Sequence, residues 1–277
     1  MTVLVTGARG NIGSAIVARL AADGHTVRAS ARDAATLKVP AGVETATLDL
    51  TAPDEKALDG VETVFLYPTR GDYGDFLSLA TKADVQYIVL LSSPASFEHG
   101  ECDGPIGLIH RGVEQALADS GLRHTVLYPS WLATNARRDW AEEIRAENRI
   151  SLAHPDARVS PIHLDDIAEV AAALLTKDAH RGRMQVLTGP ESLAQREIAA
   201  IIAEETGRAI AVTELTREQA LARRPPWLLE SAHAALLDAS ALAVGVPALL
   251  TNAVERITGH PARPFRTWVA AHLADFG

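Results

Sequence analysis

The chain has 277 residues, 47% hydrophobic and 22% charged, with 26 basic against 35 acidic side chains and a formal net charge of −9. That composition belongs to a globular protein and excludes disordered and fibrous architectures. The acidic balance argues against nucleic acid as a partner, because such binders present a dense basic face; a small-molecule ligand is expected. Short β-branched runs alternate with longer amphipathic stretches in βαβ spacing. Val3-Leu4-Val5 reads as a strand, Asn11 to Ala22 as a helix and Thr26 to Ala29 as the next strand. Further strands are predicted at Val43 to Leu48, Val61 to Tyr67, Gln86 to Leu91 and His124 to Tyr128, each short and apolar like parallel strands buried on both faces. Between the last two, Ile106, Ile109, Val113 and Leu117 recur at helical steps, predicting a helix from Pro105 to Ser120 that Gly121 stops.

Beyond Pro129 the spacing predicts a helix over Trp131 to Glu147, an extended piece near Val159, and a helix over Asp165 to Leu175 capped by Asp165 or Asp166. A strand at Met184 to Leu187 follows, then a mostly helical remainder with a strand at Ile210 to Thr213 and a last helix around Phe265 to Leu273. The fold class expected is α/β, a doubly wound parallel sheet with a small, mostly helical C-terminal cap. Residues 1–150 read as the core unit, and 151–277 as a mixed region that partly returns to the core and partly forms a substrate-side cap. No apolar run approaches the roughly 20 residues needed to cross a bilayer, so no membrane partner is expected. The opening MTVLVTG lacks a secretory signal's features, and a cytoplasmic location is expected. A single cysteine, Cys102, excludes an intramolecular disulfide and a thiolate zinc site. A monomer and a homodimer are both compatible with this pattern.

Thr6-Gly7-Ala8-Arg9-Gly10-Asn11-Ile12-Gly13 lies between the first strand and the first helix. Glycines there permit a sharp turn and a close approach of backbone to a pyrophosphate, while the helix N-terminus supplies free N–H donors. The turn makes the sheet Rossmann-type and Gly7, Arg9, Gly10, Asn11, Ile12 and Gly13 candidate cofactor contacts. An acidic residue at the end of the second strand would take the ribose hydroxyls of NAD. Here the chain reads Val27-Arg28-Ala29-Ser30-Ala31-Arg32, and Arg32 can pair with a 2′-phosphate through two hydrogen bonds, which favours NADP(H). Arg9 is a second candidate for that phosphate. A solvated surface role stays open for Arg28 and Arg32, and Asp33 is placed to neutralise Arg32. Asp49, followed by Leu50 after the third strand, fits either the adenine amino group or a loop cap.

These residues carry a resemblance. The spacing Gly7, Gly10, Gly13 is similar to the T-G-x-x-G-x-x-G form of the short-chain dehydrogenase/reductases. With Val64-Phe65-Leu66, Val89-Leu90-Leu91-Ser92-Ser93, His110-Arg111-Gly112-Val113-Glu114, Ser120-Gly121-Leu122, Thr125-Val126-Leu127-Tyr128-Pro129 and Pro161-Ile162-His163, nearly the whole chain resembles the atypical NmrA-like NAD(P)H-binding group. That group includes quinone-reductase-like and triphenylmethane-reductase-like enzymes and redox-sensing regulators. Its standard relatives use Tyr-x-x-x-Lys for proton transfer; the matching positions here are Ile106 and His110. Tyr128 replaces the arginine common before Pro129, and Ser130 the usual glycine after it.

Ligands in open α/β sheets lie beyond the carboxyl ends of the strands, which selects Tyr67-Pro68, Ser92-Ser93 and Tyr128-Pro129-Ser130. Ser93 resembles the family serine near the nicotinamide, where its hydroxyl would hold a substrate carbonyl; a turn cap is the alternative. His110 fits a ribose hydroxyl or a carbonyl as its partner, or else an i,i+4 pairing with Glu114. Ser93 and His110 are the catalytic candidates. His163, Asp165 and Asp166 lack the spacing of a third ligand, so no metal is expected. Trp131, Trp140, Trp227 and Phe97 read as core residues or as a lining for a flat substrate. The expected function is NADPH-dependent hydride transfer to a quinone-like, carbonyl or conjugated acceptor. The alternatives are a non-catalytic NADP(H) redox sensor and a biosynthetic isomerase or dehydratase.

Overall fold

The computed structural model describes residues 1–97, 104–182 and 184–277, so Cys102 lies outside the described residues. The first half of the chain runs β1 (Thr2–Val5), α1 (Asn11–Ala22), β2 (Thr26–Ala31), β3 (Glu44–Thr47), β4 (Val61–Leu66), α2 (Gly74–Lys82), β5 (Tyr87–Leu91), α3 (Pro105–Asp119) and β6 (His124–Pro129). The second half continues with α4 (Asn135–Glu147), β7 (Arg149–Leu152), β8 (Arg158–Val159), α5 (Leu164–Thr176), β9 (Gln185–Leu187), β10 (Leu193–Ala194) and α6 (Gln195–Thr206). It closes with β11 (Ala211–Glu214), α7 (Arg217–Ala222), α8 (Glu230–Leu242), α9 (Ala253–Thr258) and α10 (Phe265–Ala271).

Seven strands form a parallel sheet in the order β3-β2-β1-β4-β5-β6-β9. The winding reverses between β1 and β4, which opens a crevice at the carboxyl ends of these strands. Both faces are covered, so inner strands are apolar at successive positions: in β4, Phe65 packs toward α1 and α5, and Val64 and Leu66 toward α2 and α3. Ile16, Val17 and Leu20 of α1 meet Ile167, Val170 and Leu174 of α5 on one face, while Phe76 and Leu77 of α2 join Val113 and Leu117 of α3 on the other. Only the lower half of the expected α3 stripe is fully buried, because Ile106 and Ile109 are half-exposed. A third apolar cluster joins Trp140 and Ile144 of α4 to Ile150 of β7, Ile202 of α6 and Trp268 of α10. There β7 pairs in parallel with β11.

The sequence-based boundaries shift where tertiary hydrogen bonds override periodicity. Helix α4 starts at Asn135 rather than Trp131, because Trp131 to Ala133 run alongside Ile162, with Ile162 N donating to Trp131 O at 2.9 Å and Ala133 N to Ile162 O at 3.0 Å. Neither Asp165 nor Asp166 caps α5. His163 does so, its Nδ1 accepting from Asp165 N at 3.1 Å. Strands β7 and β10 were not read in the sequence; they are set by distant partners, β7 by β11 and β10 by β8.

Asp166 is completely buried and receives the backbone N–H of Arg263 at 2.8 Å together with its guanidinium. Arg263 also reaches Glu169 at 2.9 Å, and Glu169 is bonded by Arg19 at 2.8 Å and by His260 at 2.5 Å. Three ligand-type atoms, from Asp166, Glu169 and His260, lie within 4.8 Å of one another. Two arginines already neutralise the carboxylates, and the network ties the segment before α10 to α1 and α5. Removing one partner of a buried pair leaves an uncompensated charge. Arg263→Met is therefore expected to destabilise the fold by about 3 kcal/mol in urea unfolding; a loss below about 1 kcal/mol would show that the pair is not a tether.

Candidate active site at the carboxyl edge of the sheet

The turn after β1 is built by steric necessity. Gly7 adopts φ +64°, and a Cβ there would lie 2.8 Å from Cβ of Tyr67. A Cβ on Gly13 would lie 2.3 Å from the carbonyl oxygen of Gly7, so α1 could not approach β1 with any side chain at that position. The loop closes on itself through Gly10 N donating to Gly7 O at 2.9 Å. Gly10 is the N-cap of α1, with no side-chain cap and no acidic residue in the first turn. The positive end of the helix is thus open to an anion. Arg9 and Asn11 are exposed beside it, and Ile12 is buried beneath.

Arg32 directly follows β2, is exposed, and makes no hydrogen bond or ion pair among the described residues. Asp33 does not neutralise it, since its Oδ1 accepts from Ala35 N at 3.0 Å to cap a short turn. Arg28 is instead spent on Glu44 at 2.9 Å and on backbone carbonyls. Asp49 caps its own loop, Oδ1 accepting from Thr51 N at 2.9 Å and Thr51 Oγ1 at 2.8 Å. These bonds, helped by the nearby Arg32 charge, hold its carboxyl below the ordinary range. Leu50 is buried in the core on the α2 side.

At the other strand ends the candidates separate into structural and exposed groups. Tyr67 leans over Gly7 and is 37% exposed, its N–H donating to Thr6 Oγ1 at 2.8 Å, whereas Pro68 is buried. Ser93 Oγ accepts from Ala95 N at 3.3 Å as a turn cap. Pro129 is buried, and the Ser130 hydroxyl donates to the carbonyl of Ser160. Ser92 and not Ser93 meets His110: Ser92 Oγ donates to Glu114 and lies 3.3 Å from His110 Nδ1. Tyr128 closes the cluster, its hydroxyl pKa raised by burial and by the adjacent Glu114 carboxylate. A carboxylate only accepts, so the single Ser92 proton goes to Glu114 and the Ser92 lone pair receives Nδ1–H of His110. Neutral His110 is then an acceptor at Nε2. Burial lowers its pKa, against the opposing pull of Glu114.

A cavity of about 440 Å³ opens beside the glycine turn, lined by Gly10, Asn11, Ile12 and Tyr67 on one wall and by Leu132, Thr134, Asn135, Arg137 and Arg138 on the other. The second wall went unread in the sequence, where the segment looked like the continuation of one long helix; the Thr134-Asn135 pair before the charged run is its single local cue. Trp131 and Trp140 pack at 5.7 Å in the third cluster. Trp227 and Phe97 are exposed, against the expectation of core packing, Trp227 under the Arg138 guanidinium and Phe97 against Tyr128.

A parallel sheet with this reversal, a glycine turn and an uncapped helix N-terminus defines a dinucleotide-binding protein of Rossmann type. The chain belongs to the NAD(P)H-binding family, whose family model matches residues 7–178. It is 36% identical over 285 positions to the (4-alkanoyl-5-oxo-2,5-dihydrofuran-3-yl)methyl phosphate reductase of Streptomyces griseus, covering 99% of each chain. It is 32% identical to the NAD(P)H azoreductase of Xenophilus azovorans, again with 99% of both chains covered. Among solved structures, the triphenylmethane reductase of Citrobacter sp. superposes with a TM-score of 0.83 at 19% identity, over 99% of this chain and 100% of that one. The NADPH complex of an Escherichia coli quinone oxidoreductase superposes with a TM-score of 0.79 at 21% identity, over 98% and 99%.

The buried histidine gives the site a pH signature. His110 has a folded-state pKa below the ~6.5 of an unfolded chain, so the unfolded state takes up the proton first on acidification. Its contribution to stability is whole above about pH 6.5 and declines as pH falls toward the folded value, then levels off. The urea midpoint of His110→Gln is expected to fall less than that of the parent chain between about pH 7 and 5. Parallel midpoint curves would mean that the imidazole is not desolvated.

Proposed function

We propose that this chain is an NADPH-dependent reductase that passes hydride to a quinone-like, carbonyl or other conjugated small molecule. The observation that carries this reading is the uncapped N-terminus of α1, whose Gly10, Asn11 and Ile12 line a cavity of about 440 Å³. Two relatives matched over their full lengths, at 36% and 32% identity, are both named reductases. In this reading the N-terminus of α1 and the backbone of Gly10 to Ile12 hold the pyrophosphate, and the free guanidinium of Arg32 takes the 2′-phosphate, with Arg9 beside it. Asp49 keeps Oδ2 free of hydrogen bonds among the described residues, for the adenine end.

When bound, the nicotinamide supplies the hydride, and the chain's part is orientation, exclusion of water and proton placement. His110, held through Nδ1 by Ser92, keeps Nε2 as an acceptor for a ribose hydroxyl. Only in its protonated form would it donate to an acceptor, which confines that role to acidic pH. Ile106, at the family's tyrosine position, lines a small apolar gap against Ala232, Ala235 and Leu236 of the region of α8. No strong general acid is then available from α3, which suits acceptors whose reduced form is protonated by solvent. In this reading Leu132 to Arg138 form the acceptor's side of the cavity, and residues of the 151–277 region, among them Leu152, Ile202 and Trp268, pack with Trp140 and Ile144 of α4 behind it.

Calorimetric titration with NADPH and NADH, followed by NADPH consumption against a quinone panel, tests this function. Tight NADPH binding with consumption is expected, and Arg32→Ala should weaken NADPH by about 1.5–3 kcal/mol while leaving NADH nearly unchanged. Equal losses for the two cofactors would remove Arg32 from the 2′-phosphate. Binding without turnover would favour a redox sensor, and no binding would overturn the dinucleotide site.

A further inference from the structure

We infer that Glu114 is a positioning residue of this edge: through the Ser92 hydroxyl it fixes which nitrogen of His110 carries the proton, and so restricts neutral His110 to ligand groups that donate a hydrogen bond. The inference deepens the proposed function and rests on it only for the identity of the donating group. It excludes a bare carbonyl as the partner of the neutral ring.

Three elements bring the groups together. Ser92 directly follows β5, Tyr128 lies in the neighbouring strand β6, and His110 and Glu114 are four residues apart on α3, on one face of that helix. Ser92 is 3% exposed, so its hydroxyl must find partners within the protein. It has two, the Glu114 carboxylate that takes its proton and His110 Nδ1 at 3.3 Å. A hydroxyl has one proton to give. With that proton on Glu114, Nδ1 meets only the oxygen lone pairs, and the bond forms only when Nδ1 itself is protonated. Burial lowers the His110 pKa, so the neutral ring is the form concerned at neutral pH. The Tyr128 pKa is raised by burial and by its hydrogen bond to Glu114, so the phenol stays protonated and donates to the same carboxylate. Hydroxyls from two adjacent strands thus hold Glu114 in place.

At the other end of the ring, Nε2 of His110 has no hydrogen-bond partner among the described residues. Nor is it one of the described buried polar atoms left without a partner, which are Thr63 Oγ1, Ser96 Oγ, Trp268 Nε1 and Asp275 Oδ2. It is therefore open to a ligand, and the circuit leaves it a lone pair. A hydroxyl or an amide N–H brings a proton to that lone pair, whereas a ketone or quinone oxygen brings only lone pairs of its own. A site built to bond one kind of polar group discriminates against ligands that lack it. Without the carboxylate, the Ser92 proton is free to turn to Nδ1, the imidazole proton moves to Nε2, and His110 becomes a donor.

The test is a long-range 1H–15N correlation spectrum of the histidine rings, recorded without cofactor at about pH 8, where an ordinary histidine is neutral. Such a spectrum separates a protonated ring nitrogen from a bare one by its 15N shift. His110→Gln identifies the His110 signals among the 10 histidines by their loss. The parent chain is expected to carry the His110 proton on Nδ1, with Nε2 bare. In Glu114→Leu the two 15N shifts should exchange as the proton moves to Nε2, while the remaining histidines keep their shifts and show that the variant is folded. A parent chain with His110 protonated at Nε2 would overturn the inference, and that reading stands whether or not the variant folds. A folded Glu114→Leu protein that keeps the proton on Nδ1 would overturn it too, by showing that Glu114 does not set the tautomer. Absence of NADPH binding or consumption would count against the proposed function alone, because the tautomer is read without cofactor or turnover.

Discussion

The distance between the Cα of Gly13 and the carbonyl of Gly7 governs this structure. A single methyl group at Gly13 would overlap that carbonyl at 2.3 Å, so the absence of a side chain is what lets α1 rest on β1. From that contact follow the direction of α1, the burial of Ile16, Val17 and Leu20 against α5, and the exposure of an uncapped helix terminus at the crevice between β1 and β4. The same packing that completes the core thus produces the electrostatics of the site. Gly7 has the complementary constraint, since its left-handed backbone and the Tyr67 ring above it leave no room for a β-carbon.

Much of this was legible in the sequence because it is local. Strand, glycine turn and helix are contiguous, and α1 begins at Asn11 and ends at Ala22 as its periodicity indicates. The apolar runs of β4 and β5 announce strands covered on both faces. What periodicity missed depends on partners far along the chain. Trp131 to Ala133 looked helical, yet their backbone is claimed by Ile162. Asp166 looked like a cap, yet Arg263, 97 residues later, draws it into the core and leaves the cap to His163.

The candidate site divides along the same line. The turn residues and Arg32 could be placed from the sequence because each directly follows β1 or β2. Ser92 and Ser93, adjacent in sequence, could not be told apart, because alternation along a strand end sends one hydroxyl to α3 and the other into a turn. Glu114 is the residue that decides: it takes the Ser92 proton, orients His110 through that serine, and raises the Tyr128 pKa together with burial. Sequence spacing left a His110–Glu114 pair as the alternative to a ligand contact, and the structure places the Ser92 hydroxyl between the two side chains.

This arrangement constrains the chemistry in a way that neither residue does alone. A tyrosine whose pKa is raised is a poor proton donor, and an imidazole whose pKa burial lowers, with its Nδ1 proton on Ser92, keeps Nε2 as an acceptor. Both features bias the described α3 and β6 side of the site toward binding and orientation. The uncapped end of α1 at Gly10 to Ile12 shares its cavity with Leu132, Thr134, Asn135, Arg137 and Arg138, a segment placed there by the pairing of Trp131 to Ala133 with Ile162.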